Sequence, residues 1–143
     1  MPDLSLRRAR TVIAKIRAAG REMDLQPLSV VVLDAGGNIK AFEREDGASN
    51  LRFNVAYAKA YGAIGFGVGT RALMNRAEAQ PYFTPALGMA FGGNLIPVPG
   101  GLLLKDPRGA VIGAVGVTGD SSDNDEAAAL TGIEAAGLVG DGG

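Results

Sequence analysis

The chain contains no cysteine, no histidine and no tryptophan. These absences exclude disulfides, thiol catalysis, serine–histidine triads and zinc sites built on His or Cys. No metal site is read from the sequence, because only oxygen ligands and the weak methionine thioether remain. General acid–base chemistry falls to Asp, Glu, Lys or Tyr. Aromatics make up 6% of the chain against 47% hydrophobic residues, so the interior rests on Ala, Val, Leu and Ile. The net charge is −1, with Lys and Arg spread along the chain. That pattern argues against a nucleic-acid surface, which shows as a basic stripe. No apolar run approaches the ~20 residues of a membrane span. The opening MPDLSLRRAR has no apolar stretch of the signal-peptide kind. A cytoplasmic protein is expected, with no nucleic-acid or membrane partner.

What is present fits one domain over residues 1–143, without repeat or linker. Gly140 to Gly143 are expected to fray. A first helix is predicted from Leu6 to Met23, capped by Ser5. Leu6, Ala9, Val12, Ile13, Ile16 and Ala19 share one face of it. Strands at Leu28–Leu33 and Ile39–Glu43 flank Asp34-Ala35-Gly36-Gly37-Asn38, whose residues favour a turn. A helix rich in small residues follows from Asn50 to about Ile64. A shorter one reaches Ala79 from an N-cap at Thr70, and Pro81 stops it. Three strands are predicted at Met89–Phe91, Leu102–Lys105 and Ala110–Val117, with a type I turn at Asp106–Gly109. Ser122 and Asp125 have capping-box spacing for a last helix ending near Val139. Short connections imply an antiparallel sheet, with the helices gathered on one face as an α+β layer.

Four segments carry a resemblance: VVLDAGGNIKAFEREDG, AYAKAYGAIGFGVGTR, GGNLIPVPGGLLLKD and VIGAVGVTGDSSDNDEAAA. In that order, across about Leu4 to Ala136, they resemble the haem-degrading family of GlcG- and HbpS-like proteins. The same domain is also found fused to corrinoid adenosyltransferases. The resemblance implies a profilin-like fold with a five-stranded antiparallel sheet, a homo-oligomer, and a small-molecule ligand. Haem is one such ligand, although this chain has no histidine for the usual axial bond.

Candidate site residues follow. Lys59 lies mid-helix among alanines, within a family-like Ala-Lys-Ala segment. Burial would lower its pKa and make it a base or an anion clamp. Thr70 and Arg71 open a helix after a Gly-rich bend, where backbone N–H groups and a guanidinium can hold a carboxylate or phosphate. Lys59 and Arg71 are expected to face one shared pocket. Arg44 and Asp46 match a charged family loop that can line a pocket. Tyr61, Tyr82 and Phe83 offer aromatic faces for a flat ligand. Gly93 and Pro97 belong to an irregular loop that permits close ligand approach. The acidic group Asp120, Asp123, Asp125 and Glu126 is read as helix capping rather than a cation site. Two functions stand open: binding of haem or another flat or anionic organic molecule, or a cofactor-independent lyase or isomerase using Lys59 and Arg71.

Overall fold

The computed structural model describes residues 4–143. Helix α1 runs Leu6–Glu22, and the Ser5 hydroxyl accepts from the Arg8 N–H at 3.1 Å, which caps it. Strands β1 (Ser29–Asp34) and β2 (Ile39–Arg44) form a hairpin. At its turn the Asp34 Oδ1 accepts from the Gly36 and Asn38 N–H groups. Helices α2 (Arg52–Phe66), α3 (Thr70–Ala79) and α4 (Phe83–Gly88) follow, then β3 (Gly101–Lys105) and β4 (Val111–Thr118). Helix α5 (Ser122–Ala135) and β5 (Val139–Asp141) complete the chain. The result is one five-stranded sheet in the order β2-β1-β4-β3-β5, every neighbouring pair antiparallel.

The period-2 alternation of strands splits this sheet into two buried faces. Val30, Val32, Leu102, Leu104, Val115 and Val117 meet α1 and α5, where Ile13, Ile16 and Ile133 fill the space. Val31, Leu33 and Ala114 face Ala56 and Ala60 of α2 instead. Helices therefore cover both faces, not one as expected from the sequence. The cause lies in two glycines. Gly116 in β4 has the Ala56 carbonyl where a Cβ would stand, which lets α2 lie directly on the sheet. Gly132 in α5 meets the Ile16 backbone in the same way, so α5 and α1 cross closely on the opposite side.

Four further expectations are corrected. Met89–Phe91 is no strand; it belongs to the turns that end α4. The fifth strand comes from the supposedly frayed tail: β5 pairs with β3, and the Lys105 ammonium holds the Asp141 carboxylate at 2.8 Å. The cap of α5 is Ser121 rather than Ser122, because its hydroxyl accepts from the Asn124 N–H and leaves Asp125 free to turn inward. Gly69, not Thr70, is the N-cap of α3.

Candidate functional site

Seven of the eight aromatic side chains form one continuous ribbon on the α2 side of the sheet. Phe53, Tyr57 and Tyr61 are four residues apart along α2, so their rings line up on one helix face. Tyr57 stacks on Tyr61 at 5.3 Å between centroids, and Phe53 stacks on Tyr57 at 5.7 Å. Phe42 of β2 continues the ribbon at one end, 4.9 Å from Phe53. At the other end Phe91 meets Tyr61 edge-on at 5.9 Å and 82°, then lies parallel to Phe66 at 4.9 Å. Phe83 follows, with the Arg76 guanidinium 4.4 Å above its ring.

The perpendicular pair Tyr61 and Phe91 makes the corner of a half-open slot of about 210 Å³. Ala35, Gly36, Gly37, Ile64, Gly65 and Ala90 complete its lining. Glycine matters at two of these positions. Gly37 has φ +82°, which an L side chain rarely adopts. A Cβ at Gly65 would stand 2.6 Å from Phe91, so any larger residue moves that ring. The slot is lined by no charged side chain, its surface is mixed polar and apolar, and a planar ring laid along one aromatic wall meets the edge of the other. Burial, and then the neighbouring Tyr61, push the Tyr57 hydroxyl above the usual phenol range.

Lys59 and Arg71 both end on the first turn of α5, on different carboxylates. Lys59 is 2% exposed; its ammonium donates to the Val117 carbonyl at 3.0 Å and to Asp125 at 3.3 Å. Asp125 is 1% exposed, and its other oxygen accepts from the Asp120 N–H at 2.9 Å. Burial lowers the Lys59 pKa while Asp125 opposes that shift. Burial raises the Asp125 pKa while Lys59 opposes it. Arg71 binds Glu126 and Asp123 at the half-buried surface, which pushes its pKa upward. Its backbone N–H donates to the Gly142 carbonyl, so the chain's own tail takes the place expected for an anion. The guanidinium borders a shallow hollow of about 400 Å³ with Lys105, Glu126 and the tail.

The remaining candidates are dispersed. The buried Thr70 hydroxyl spans α3 and β3, accepting from the Gly101 N–H at 2.9 Å and donating to the Gly101 carbonyl at 3.2 Å. Arg44 donates to the Ala48 carbonyl at 2.6 Å. Asp46 borders a hollow shared with Arg17, Arg21 and Glu45. Tyr82 is 67% exposed, with its hydroxyl accepting from the Gln80 amide. Phe83 is buried beside Phe66. Gly93 occupies an exposed turn at φ +80°, and Pro97 is half-buried in the strand-free loop before β3. Of the sequence candidates, only Tyr61 lines the slot. Phe91, Gly37, Ile64 and Gly65 were not singled out; the spacing of Phe53, Tyr57 and Tyr61 was a signal that could have drawn attention to this face.

Fold and slot define an α+β domain with a helix-flanked five-stranded antiparallel sheet and a small open cavity on its aromatic face. Three solved structures share this architecture. The PduOC–heme complex superposes with a TM-score of 0.83 at 24% identity, covering 96% of this chain and 97% of that one. Klebsiella pneumoniae protein ORFY gives 0.83 at 24% identity, covering 95% and 92%. HbpS gives 0.80 at 25% identity, covering 94% and 91%. No curated protein sequence matches the chain. The model of the family described as haem-degrading protein HbpS-like matches residues 4–134, and the chain belongs to that family. No helix among the described residues is long and apolar enough to cross a membrane.

Proposed function

We propose that this protein binds a flat, largely apolar organic molecule in the Tyr61–Phe91 slot, with a haem-like macrocycle as the first ligand to test. The slot carries the reading: two perpendicular aromatic walls with glycines at Gly37 and Gly65. Membership of the HbpS-like family and the likeness to a heme complex support it. The residues fit a stacked ring better than an iron clamp. About 210 Å³ is below the roughly 300–1,000 Å³ of an enclosed small-molecule site, so a macrocycle would lodge by one edge. The phenol oxygen of Tyr61 is the one side-chain atom on the wall of a type that ligates haem iron. Bound haem would supply redox chemistry at its iron; this chain's residues supply stacking and partial exclusion of water.

The protein acts, in this reading, as a cytoplasmic homo-oligomer of one domain per chain. Residues 79–104 carry no charged side chain, and within them Met89 is 91% exposed and Tyr82 67%. Such uncharged exposed surface favours association. Light scattering should return a mass well above 14.6 kDa, and a monomer would refute the assembly. The lyase or isomerase alternative rests on less, since Lys59 and Arg71 are already committed to α5 carboxylates. Haemin titration followed by absorption and by tyrosine emission tests the binding reading. The expected complex lacks the low-spin signature of two strong axial ligands, and Tyr61→Ala weakens it about tenfold, roughly 1.4 kcal/mol. A tight bis-ligated spectrum, or a Tyr61→Ala variant that binds like the parent, would contradict it.

A further inference from the structure

Helix α1 carries its charges against its own dipole. Arg7, Arg8 and Arg10 crowd the N-terminal end, where a helix favours carboxylates, and the first turn holds no acid. By contrast α5 opens with Asp123 and Asp125. None of the side chains of Arg7, Arg8 and Arg10 has a hydrogen bond or ion pair among the described residues, whereas Arg17 and Arg21 reach Glu43 and Glu45. Leu6, expected on the buried face, is instead 51% exposed. Arg7 and Arg10 line an open groove of about 520 Å³ whose floor includes Ala14 and whose far wall is Glu43 of β2.

That far wall belongs to the long edge of the sheet. Among the described residues β2 has six residues and one strand neighbour, β1, so alternate backbone N–H and C=O groups point outward without a strand partner there. The opposite edge, β5, has only three residues. Cations flank the β2 edge on both faces. Ala41 packs toward α1, and the groove arginines lie on that side. Phe42 packs toward α2, and by alternation Lys40 and Arg44 point to that second side. Glu43, the carboxylate in the groove, is already held by Arg17 at 2.6 Å.

We infer that the β2 edge and the α1 groove bind an acidic, extended segment of a partner protein, added to the sheet as a sixth strand. Backbone pairing supplies the affinity of strand addition, and alternate carboxylates meet Arg7 and Arg10 on one face and Lys40 and Arg44 on the other. The small apolar floor at Leu6 and Ala14 suits a short aliphatic side chain between acids, which a phosphate polymer lacks. The concave shape does not suit a bilayer surface.

The test uses the full chain and a short labelled peptide of paired glutamates separated by valine and threonine, read by fluorescence anisotropy. Saturable, salt-sensitive binding is expected. It should fall at least about tenfold in Arg7→Glu/Arg10→Glu and again in Lys40→Glu. The same peptide N-methylated at alternate residues should not bind, because it cannot pair with β2. Melting of the double variant should be unchanged or raised, since glutamates suit that helix end; lost binding then reports contact rather than misfolding. The proposal is overturned if the acidic peptide does not bind or if a lysine-for-glutamate peptide binds equally. It is equally overturned if oligothymidylate or anionic vesicles bind as tightly, or if N-methylation has no effect.

Discussion

The two faces of the sheet are built from different chemistry. The α1/α5 face is aliphatic and closed: Val12, Ile13, Ile16, Leu28, Val30 and Val115 are fully buried. The α2 face uses small residues at its centre and places its bulk in aromatic rings at the margin, where Phe42, Phe53, Tyr57 and Tyr61 stay half-buried. Branched aliphatics interdigitate and leave no void. Large flat rings over alanines and glycines close less completely, and the slot is the space left over. The buried pair Lys59–Asp125 joins the two layers, since the lysine comes from α2 and the carboxylate from α5. One face thus holds the fold, and the other holds the ligand in the proposed reading.

Breaking the link between the layers should have the largest effect. Asp125→Ala leaves a buried ammonium without its carboxylate and is expected to cost about 3–5 kcal/mol in denaturant unfolding; a loss near zero would mean that Lys59 finds water. Lys59→Met tests the same pair through pH. Burial already holds the Asp125 carboxyl above its usual range, and removing the lysine removes an interaction that lowers it. A folded pKa above the unfolded one gives stability that is fully present below about 4 and lost as pH rises through the folded value. Lys59→Met should therefore lose melting temperature from pH 4 toward 7 relative to Lys59→Met/Asp125→Asn. Parallel curves for the two variants would contradict this.

On the closed face, Ile16→Ala should cost about 2–5 kcal/mol and leave haemin affinity unchanged. A change in affinity at constant fold would mean that the two faces are not independent. On the open face, Tyr61→Ala should cost less stability, on the order of 1–2 kcal/mol for a half-buried ring and its stacked neighbour, while ligand binding drops. The smallest effect belongs to Arg71→Ala. Its pairs with Asp123 and Glu126 lie partly in water, so the shift in thermal unfolding is expected to be the smallest of the series.

The closed face was the legible one. Helix α1, the β1–β2 hairpin with its Asp34 turn and β4 follow from periodicity and turn residues that act locally. The open face depends on distant residues: Phe91 reaches Tyr61 only through the loop after α4, and Phe66 at the end of α2 reaches Phe83 of α4 past the whole of α3. Apolar Met89–Phe91 resembled a strand because single-chain patterns do not distinguish a short apolar turn from a short strand. β5 was missed because Gly140, Gly142 and Gly143 around Asp141 signal disorder, whereas pairing with β3 orders Val139 to Asp141. The sequence sets Lys59 among alanines and directs it to a pocket shared with Arg71, whereas it ends on Asp125, one of several acids that all read as helix caps.

The central claim is that the Tyr61–Phe91 corner receives the ligand, and Gly65→Val tests it most directly. The position is exposed and away from both sheet faces, and its Cβ would displace Phe91 from its place against Phe66 and the small Leu73, Phe83 and Leu95 cluster and fill the slot. A folded protein with a modestly lowered melting temperature is expected, with haemin affinity reduced at least about tenfold in the same titration. Undiminished affinity in a folded Gly65→Val protein would place the ligand elsewhere and contradict the account.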